Sequence, residues 1–338
     1  MISGVPQGTV LGPILFLLHI ADITRGVMNG SSASSFVDDT RVTRPCSNVA
    51  DCQKLQEDLQ SIYGWATDVN MIFNSEKFEC LRFWPGKSGT EEFDYLAPDG
   101  SPIAVKNSLR DLGVIVSSDL SFSEQIQNAV CSANKLIGWA LRSFRRRSSL
   151  TMITIWRSLI QPKLDYCAQL WSPADQTSIS KIESVMRNFT SRIAGLEDMD
   201  YWGRLKHLKL FSQERRRERA RIIFIWKVLQ GWTLGYEFEV TQSDRRGRQI
   251  HVPPYPKQAP AAVRKAVEAS IHVHGAKLFN VLPRYLRDIS SGTVDNFKKE
   301  LQDWLETITD QPTISAKQRP ANSNSLLDQI NYKMETTN

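Results

Sequence analysis

The stretch Ser34-Ser35-Phe36-Val37-Asp38-Asp39-Thr40-Arg41-Val42 decides how the first third of this chain is read. Strand-favouring residues on either side of an Asp-Asp pair spell two short strands around an acidic tip. Upstream, Gly4, Pro6, Gly8 and Gly12 keep residues 1–12 loop-like. The run Ile14 to Leu18 then opens a helix, with Pro13 at a tolerated first-turn position. Downstream, Val49, Cys52, Leu55, Leu59, Ile62 and Trp65 recur at three- and four-residue steps, which predicts an amphipathic helix. Met71 to Phe73 and Cys80 to Phe83 read as strands. Between Leu96 and Val116, a Pro98-Asp99-Gly100 turn and the run Leu112 to Val116 predict further strands.

From about residue 122 the apolar period becomes helical. Ile126, Val130, Ala133, Ile137 and Leu141 mark one helix. Ile153, Trp156, Leu159 and Ile160 mark a second, closed by Pro162, and Ile179, Ile182, Val185, Phe189 and Ile193 a third. A fourth runs from Ser212 to Gln230, with Gly231 as its stop. Residues 241–262, with Pro253, Pro254, Pro256 and Pro260, read as a linker. A last helix uses Phe297, Leu301, Trp304 and Leu305, and from Gln311 onward the polar composition predicts disorder. The expected class is α+β: an α+β segment over 1–120, a basic helical segment over 121–240, the linker 241–262, a helical segment over 263–308 and a disordered tail over 309–338.

Composition excludes several classes. With 41% hydrophobic residues, wholesale disorder is ruled out. The five cysteines (Cys46, Cys52, Cys80, Cys131, Cys167) form no C-x-x-C pair, which argues against a zinc ribbon or a thioredoxin-like motif. A disulfide scaffold is not expected at this size, and a reducing compartment fits better. The apolar run Val10 to Ile20 is broken by Gly12-Pro13 and falls short of the roughly 20 residues that span a bilayer. No Lys or Arg precedes it to build a signal peptide. The expectation is an intracellular chain, nuclear or cytoplasmic and not secreted, with no membrane partner. Charge is unevenly spread: residues 135–227 hold 19 Lys and Arg against 8 Asp and Glu, so one central segment carries all the basic excess. That is the pattern expected where a polyanion binds.

The Asp38-Asp39 pair is the first chemical candidate. Adjacent carboxylates suit Mg²⁺, a hard cation held by one or two carboxylates together with substrate phosphates. Asp-Asp also makes an ordinary turn, and for an isolated pair the turn is the favoured reading. His272 and His274 have no third ligand near in sequence and are set aside as a metal site.

A wider pattern surrounds the pair. Ser3-Gly4-Val5-Pro6-Gln7-Gly8-Thr9-Val10-Leu11-Gly12-Pro13-Ile14-Leu15-Phe16 resembles motif B of the reverse transcriptases of non-LTR retrotransposons, LINE-type and jockey-like. Phe36-Val37-Asp38-Asp39-Thr40 resembles their motif C, and Phe73-Asn74-Ser75-Glu76-Lys77 their motif D. Asp111-Leu112-Gly113-Val114 and Leu120-Ser121-Phe122 are similar to the segment joining palm to thumb. Ser158 to Tyr166, Leu170-Trp171-Ser172-Pro173 and Leu278 to Pro283 continue the likeness in the family's order, to about residue 305.

The resemblance implies a partial polymerase palm (motifs B, C and D) followed by a mainly helical thumb and C-terminal extension. It implies RNA-directed DNA polymerisation by two-metal nucleotidyl transfer, with an RNA template, a DNA primer and deoxynucleotides as partners. Asp38 and Asp39 would be the Mg²⁺ ligands and catalytic carboxylates. Lys77 would serve the leaving pyrophosphate, although a lysine after a turn also simply faces solvent. Gln7 and Gly8 would lie against the nascent base pair, where glycine permits close backbone approach. The family's motif A and fingers precede motif B, whereas this sequence opens on Met1 beside the motif B similarity. The expectation is therefore a fragment inactive by itself, with exposed apolar palm surface around Leu15 to Ile20 that invites self-association. Arg142, Arg145, Arg146, Arg147, Arg215, Arg216, Arg217, Arg219 and Arg221 would hold template–primer phosphates. The tryptophans among them, Trp156, Trp171 and Trp226 above all, read as core. The alternative is a non-enzymatic nucleic-acid-binding remnant that uses only the basic helical region.

Overall fold

The structure is a computed structural model that describes residues 8–83, 92–233, 235–245, 247–254, 258–289, 292–312 and 324–337. Two compact units divide the chain, Met1–Leu109 and Arg110–Asn338. Both helix and strand are present, and the class is α+β.

In the first unit, α1 (Gly12–Ile20) starts with Pro13 in its first turn, and the Thr9 hydroxyl accepts from the Gly12 amide at 3.1 Å. Only Gly12 and Ile20 of this helix are buried, while Ile14, Leu15, Leu17 and Leu18 are exposed. The acidic stretch folds as expected. β1 (Ser32–Phe36) pairs antiparallel with β2 (Asp39–Thr43), in register from Ser32↔Thr43 to Phe36↔Asp39. The long helix α2 (Val49–Asp68) is capped by the Asn48 side chain and buries Cys52, Asp58, Ile62 and Ala66. β3 (Glu79–Leu81) pairs in parallel with β4 (Ala104–Lys106). Met71 to Phe73 is not a strand, contrary to expectation. The chain there leaves α2 through Asn70 at φ 56, and Phe73 turns to pack edge-on against Tyr63 and Phe78.

A short hairpin pairs β5 (Ser108–Asp111) with β6 (Val114–Ser117). Val114 belongs to the helical core. That core is built by α3 (Ser123–Ser143), α4 (Ser149–Ile155), α5 (Gln161–Asp165), α6 (Gln176–Thr190) and α7 (Tyr201–Leu208). Pro162 does not close the second helix. A π-helical turn over Trp156–Ile160 carries the chain from α4 into α5, where Pro162 falls in the first turn and its missing N–H is harmless.

The central helix α8 (Gln213–Leu229) leads to a second core. Its later half buries Ile222, Ile225 and Trp226, and Trp226 stacks on Phe297 at 4.7 Å between ring centroids. Around it lie the hairpin β7 (Val240–Ser243) and β8 (Gly247–Ile250), then α9 (Ala261–Ala269), α10 (Ala276–Asn280), α11 (Arg284–Arg287) and α12 (Val294–Glu306). The expected linker over 241–262 is thus corrected in its first part: Ile250 enters the second core, and the Asn280 side chain bonds both its N–H and its carbonyl at 2.8 Å. Of the expected disordered tail over 309–338, residues 313–323 and 338 lie outside the described residues, and the part from 324 is corrected. α13 (Leu326–Thr337) is helical, Leu326 is fully buried, and the Glu218 carboxylate accepts from its amide at 2.9 and 3.0 Å. Among the described residues no helix is long and apolar enough to cross a membrane.

Candidate active site

The hairpin of β1 and β2 leaves only Val37 and Asp38 in its turn. Val37 adopts φ 57, a backbone conformation that costs a β-branched residue on the order of 1–3 kcal/mol. Asp38 follows at the tip and Asp39 opens β2, both exposed. The Ser35 and Thr40 hydroxyls hydrogen-bond across the ladder at 3.0 Å, tying the strands together one pair below the turn. Among the described residues neither carboxylate forms an ion pair. Two adjacent, accessible carboxylates are a donor set that fits a hard divalent cation. No group of three His, Cys, Asp or Glu side chains able to hold a metal occurs among the described residues.

Gly8 has φ 82, the left-handed region that favours glycine, and open space where a Cβ would stand. Its expected neighbour Gln7 lies outside the described residues. Lys77 ends the 3₁₀ turn Ser75–Lys77, which the Asn74 side chain caps by accepting from the Glu76 amide at 3.0 Å, and it is exposed.

The base of the hairpin holds residues that sequence reading missed. Asp58, fully buried on α2, accepts at one oxygen from the amides of Met28 and Asn29 (3.1 and 3.2 Å) and from the Asn29 side chain (3.1 Å). Burial by itself would raise the Asp58 carboxyl. The donors on Ser31, Asn29 and Met28 outweigh it and hold the group below the usual carboxylate range. The carbonyl of the same Asn29 accepts from Arg44, whose guanidinium also lies 3.8 Å from Asp51 on α2.

In the second unit the basic residues split into two groups. Arg142, Arg145 and Arg146 are exposed and Arg147 half-buried, at the end of α3 and in the loop beyond it. Beside them Trp139 and Phe144 meet edge-to-face at 6.0 Å and are 45% and 37% exposed. Guanidinium groups interleaved with open aromatic faces can take phosphates and stacked bases.

The run on α8 corrects the expectation. Arg215, Arg217 and Arg221 are buried. Arg215 donates to the Thr309 carbonyl at 3.0 Å. Arg217 lies 3.8 Å over the Trp171 ring and donates to the Leu164 carbonyl. Arg221 meets the carbonyls of Gln169, Ser172 and Ala269 and the His274 ring nitrogen. Burial pulls Arg217 down to about 9 and Arg221 to about 10, so both stay charged at neutral pH. Of the other two, Arg216 grips Asp165 with contacts of 2.5 to 3.0 Å, and Arg219 donates to the Lys298 carbonyl. These five arginines bind α8 to its neighbours and present no row of free phosphate donors. Trp156, Trp171 and Trp226 are core, as their periodicity implies.

Residues 2–103 match the family model described as reverse transcriptase (RNA-dependent DNA polymerase). They belong to the reverse transcriptase family. The chain is 27% identical over 208 residues to the probable RNA-directed DNA polymerase from transposon X-element of Drosophila melanogaster. It is also 27% identical over 203 residues to the RNA-directed DNA polymerase from mobile element jockey of the same species, and 26% identical to that of Drosophila funebris. The alignments cover 58% or 57% of this chain but only 22% of each relative. These likenesses, to elements of the jockey and X-element kind, support a reading of the chain as a non-LTR retrotransposon reverse transcriptase. No solved structure matches it. The Asp38-Asp39 hairpin falls inside the segment that the reverse transcriptase model matches, and the Arg142–Arg147 patch falls outside it.

Proposed function

We propose that this chain carries the metal-binding hairpin of an RNA-directed DNA polymerase, with Asp38 and Asp39 as its Mg²⁺ ligands. The observation that supports the reading is the accessible carboxylate pair at a two-residue turn within the segment matching the reverse transcriptase family. Bound at this pair, Mg²⁺ would supply charge stabilisation to the attacking and leaving oxygens of nucleotidyl transfer. Asp38 and Asp39 hold it, Gly8 lets template, primer or nucleotide approach the backbone, and Lys77 meets the leaving pyrophosphate as a proton donor or counter-charge. RNA template, DNA primer and deoxynucleotides are the partners of this reading. Two carboxylates hold such ions less firmly than a larger set, so little primer extension is expected from these 338 residues alone. The test uses Mn²⁺ as the probe, followed by water-proton relaxation. The double variant Asp38→Asn, Asp39→Asn should abolish the enhancement, and an unchanged titration would refute the assignment.

A second reading rests on Arg142, Arg145 and Arg146 beside Trp139 and Phe144: this face binds nucleic acid independently of the metal. Replacing the three arginines with alanine should lower the slope of log K against log salt by about 3, near 0.9 for each phosphate no longer neutralised. Asp38→Asn should leave that binding unchanged. Equal slopes for the triple variant and the parent chain would exclude the patch.

A further inference from the structure

The catalytic hairpin is unusual in what does not hold it. It is two-stranded, and in β1 and β2 no residue is fully buried. An isolated pair of strands is marginally stable at best, so the position of its tip must come from its ends. Five residues at about 3.4 Å each make an arm of about 17 Å from base to tip. A tilt of about 10° at the base would therefore carry Asp38 by about 3 Å, where displacements near 1 Å already cost catalysis heavily.

Both strands leave the base beside one residue. Asn29 precedes Gly30, whose φ of 87 turns the chain toward β1, and Arg44 follows β2 directly. Asn29 is held on two sides, its amide and side chain by Asp58 and its carbonyl by Arg44. Three donors from Met28 and Asn29 converge on Asp58 Oδ1, at 3.1 to 3.2 Å, and the Ser31 hydroxyl, next along the same loop, adds to them in holding the carboxylate ionised. A fully buried carboxylate directs its charge at one short loop, and that loop leads directly into the hairpin. Arg44, in turn, is tied toward α2 through Asp51 at 3.8 Å.

We infer that Asp58 is a positioning residue for the metal-binding pair: through Asn29 it fixes the base of the hairpin to α2 and so sets where Asp38 and Asp39 stand. The inference rests on the polymerase reading for its consequence and on the hydrogen bonds for its geometry.

The experiment uses the full chain with Mn²⁺ as the probe and hydrogen–deuterium exchange as a second readout. Asp58→Ala removes the acceptor, and Asp58→Asn keeps Oδ1 but replaces charge-assisted bonds with weaker neutral ones. Partners of a metal ligand's support typically alter metal affinity by about 10-fold or more when removed. Asp58→Ala is expected to lower Mn²⁺ affinity about 10-fold, and Asp58→Asn to lower it less. Exchange should rise at Ser34, Ser35, Thr40 and Arg41, remote from the substitution, while α2 keeps its protection over 49–68. A merely structural role would instead loosen α2 along with the hairpin. If Asp58→Ala fails to fold, Asp58→Asn and Asn29→Ala decide the question, since each leaves the packing of α2 in place. Parent affinity together with parent exchange over 32–43 in those variants would overturn the inference. Should the parent chain show no Mn²⁺ binding sensitive to Asp38→Asn, the metal reading fails and hairpin exchange alone judges the role of Asp58.

Discussion

The buried carboxylate Glu183 gives a prediction whose sign follows from its surroundings. It lies on α6 in the first core, where Tyr201 donates its hydroxyl to Oε1 and the Gln213 amide donates to both oxygens at 3.2 and 2.9 Å. Among the described residues no cation pairs with it, and burial pushes it from 4.5 up to about 7 despite those donors. The folded chain therefore holds a proton on Glu183 that the unfolded chain has released above about pH 4.5. Stability from this group is present below its unfolded value and is lost as pH rises through about 7. A displacement of that size corresponds to an upper bound of about 3 kcal/mol, with the full loss reached near pH 8. Glu183→Gln removes the titration and keeps an oxygen for Tyr201. Its amide group, facing the Gln213 N–H, adds a penalty that does not vary with pH. The informative quantity is thus how the difference between variant and parent changes with pH, measured by urea unfolding at about pH 5.5 and about pH 8.5. Relative to the parent, Glu183→Gln should gain about 2 kcal/mol between the two, the remainder having been lost already below about pH 5.5. A difference that is equal at both values would show that the carboxylate is ionised throughout, and the burial argument would fail.

Two other consequences are open to direct measurement. Leu326 is fully buried in the second core, so Leu326→Ala should cost about 2–5 kcal/mol in urea unfolding, whereas a residue of a disordered tail would cost nothing. The exposed side chains of α1, with Leu15 at 50% and Leu18 at 69%, make an apolar face on which copies can associate. Leu15→Glu with Leu18→Glu should lower the weight-average mass in sedimentation equilibrium, and an unchanged mass would clear this face of any role.

Much of the fold was legible because its elements carry strong periods. The hairpin, α2, α3, α6, α8 and α12 stand where apolar spacing or turn residues place them. The misses share a physical origin in tertiary contacts that override local preference. Pro162 reads as a stop in sequence, but a π-helical turn shifts the bonding pattern just ahead of it, with Gln161 donating to the Trp156 carbonyl. The 241–250 segment lacks apolar density of its own. It is ordered by Asn280, which completes the backbone bonds of Ile250, and by Asp288, which accepts from the Arg248 amide at 2.9 Å. α13 is equally unpromising alone. Its start is supplied by carboxylates of α8, with Glu218 taking the Leu326 amide and Glu214 the Asn324 amide.

The candidate sites show the same division more sharply. Asp38 and Asp39 could be found because a strand pair around two acids is a local pattern. Asp58 left a fainter trace: it stands four residues before Ile62 and eight before Ala66, an acid in register with buried positions of α2. A carboxylate on an apolar stripe must find donors or stay protonated, and here it finds the loop that feeds the hairpin. The arginines of α8 mislead for the converse reason. A count of charge carries no direction, and five arginines within seven residues occupy every face of a helix at about 100° per residue. Some must turn inward once the helix lies between two cores. There the guanidinium groups meet carbonyls that α-helices leave free at their ends, among them Leu164 near the end of α5 and Ala269 at the end of α9. Arg142, Arg145 and Arg146 escape that fate because α3 ends at Ser143 and the chain emerges into solvent. Exposure, set by where a helix stops, is what separates the arginines able to meet a phosphate from those that hold the protein together.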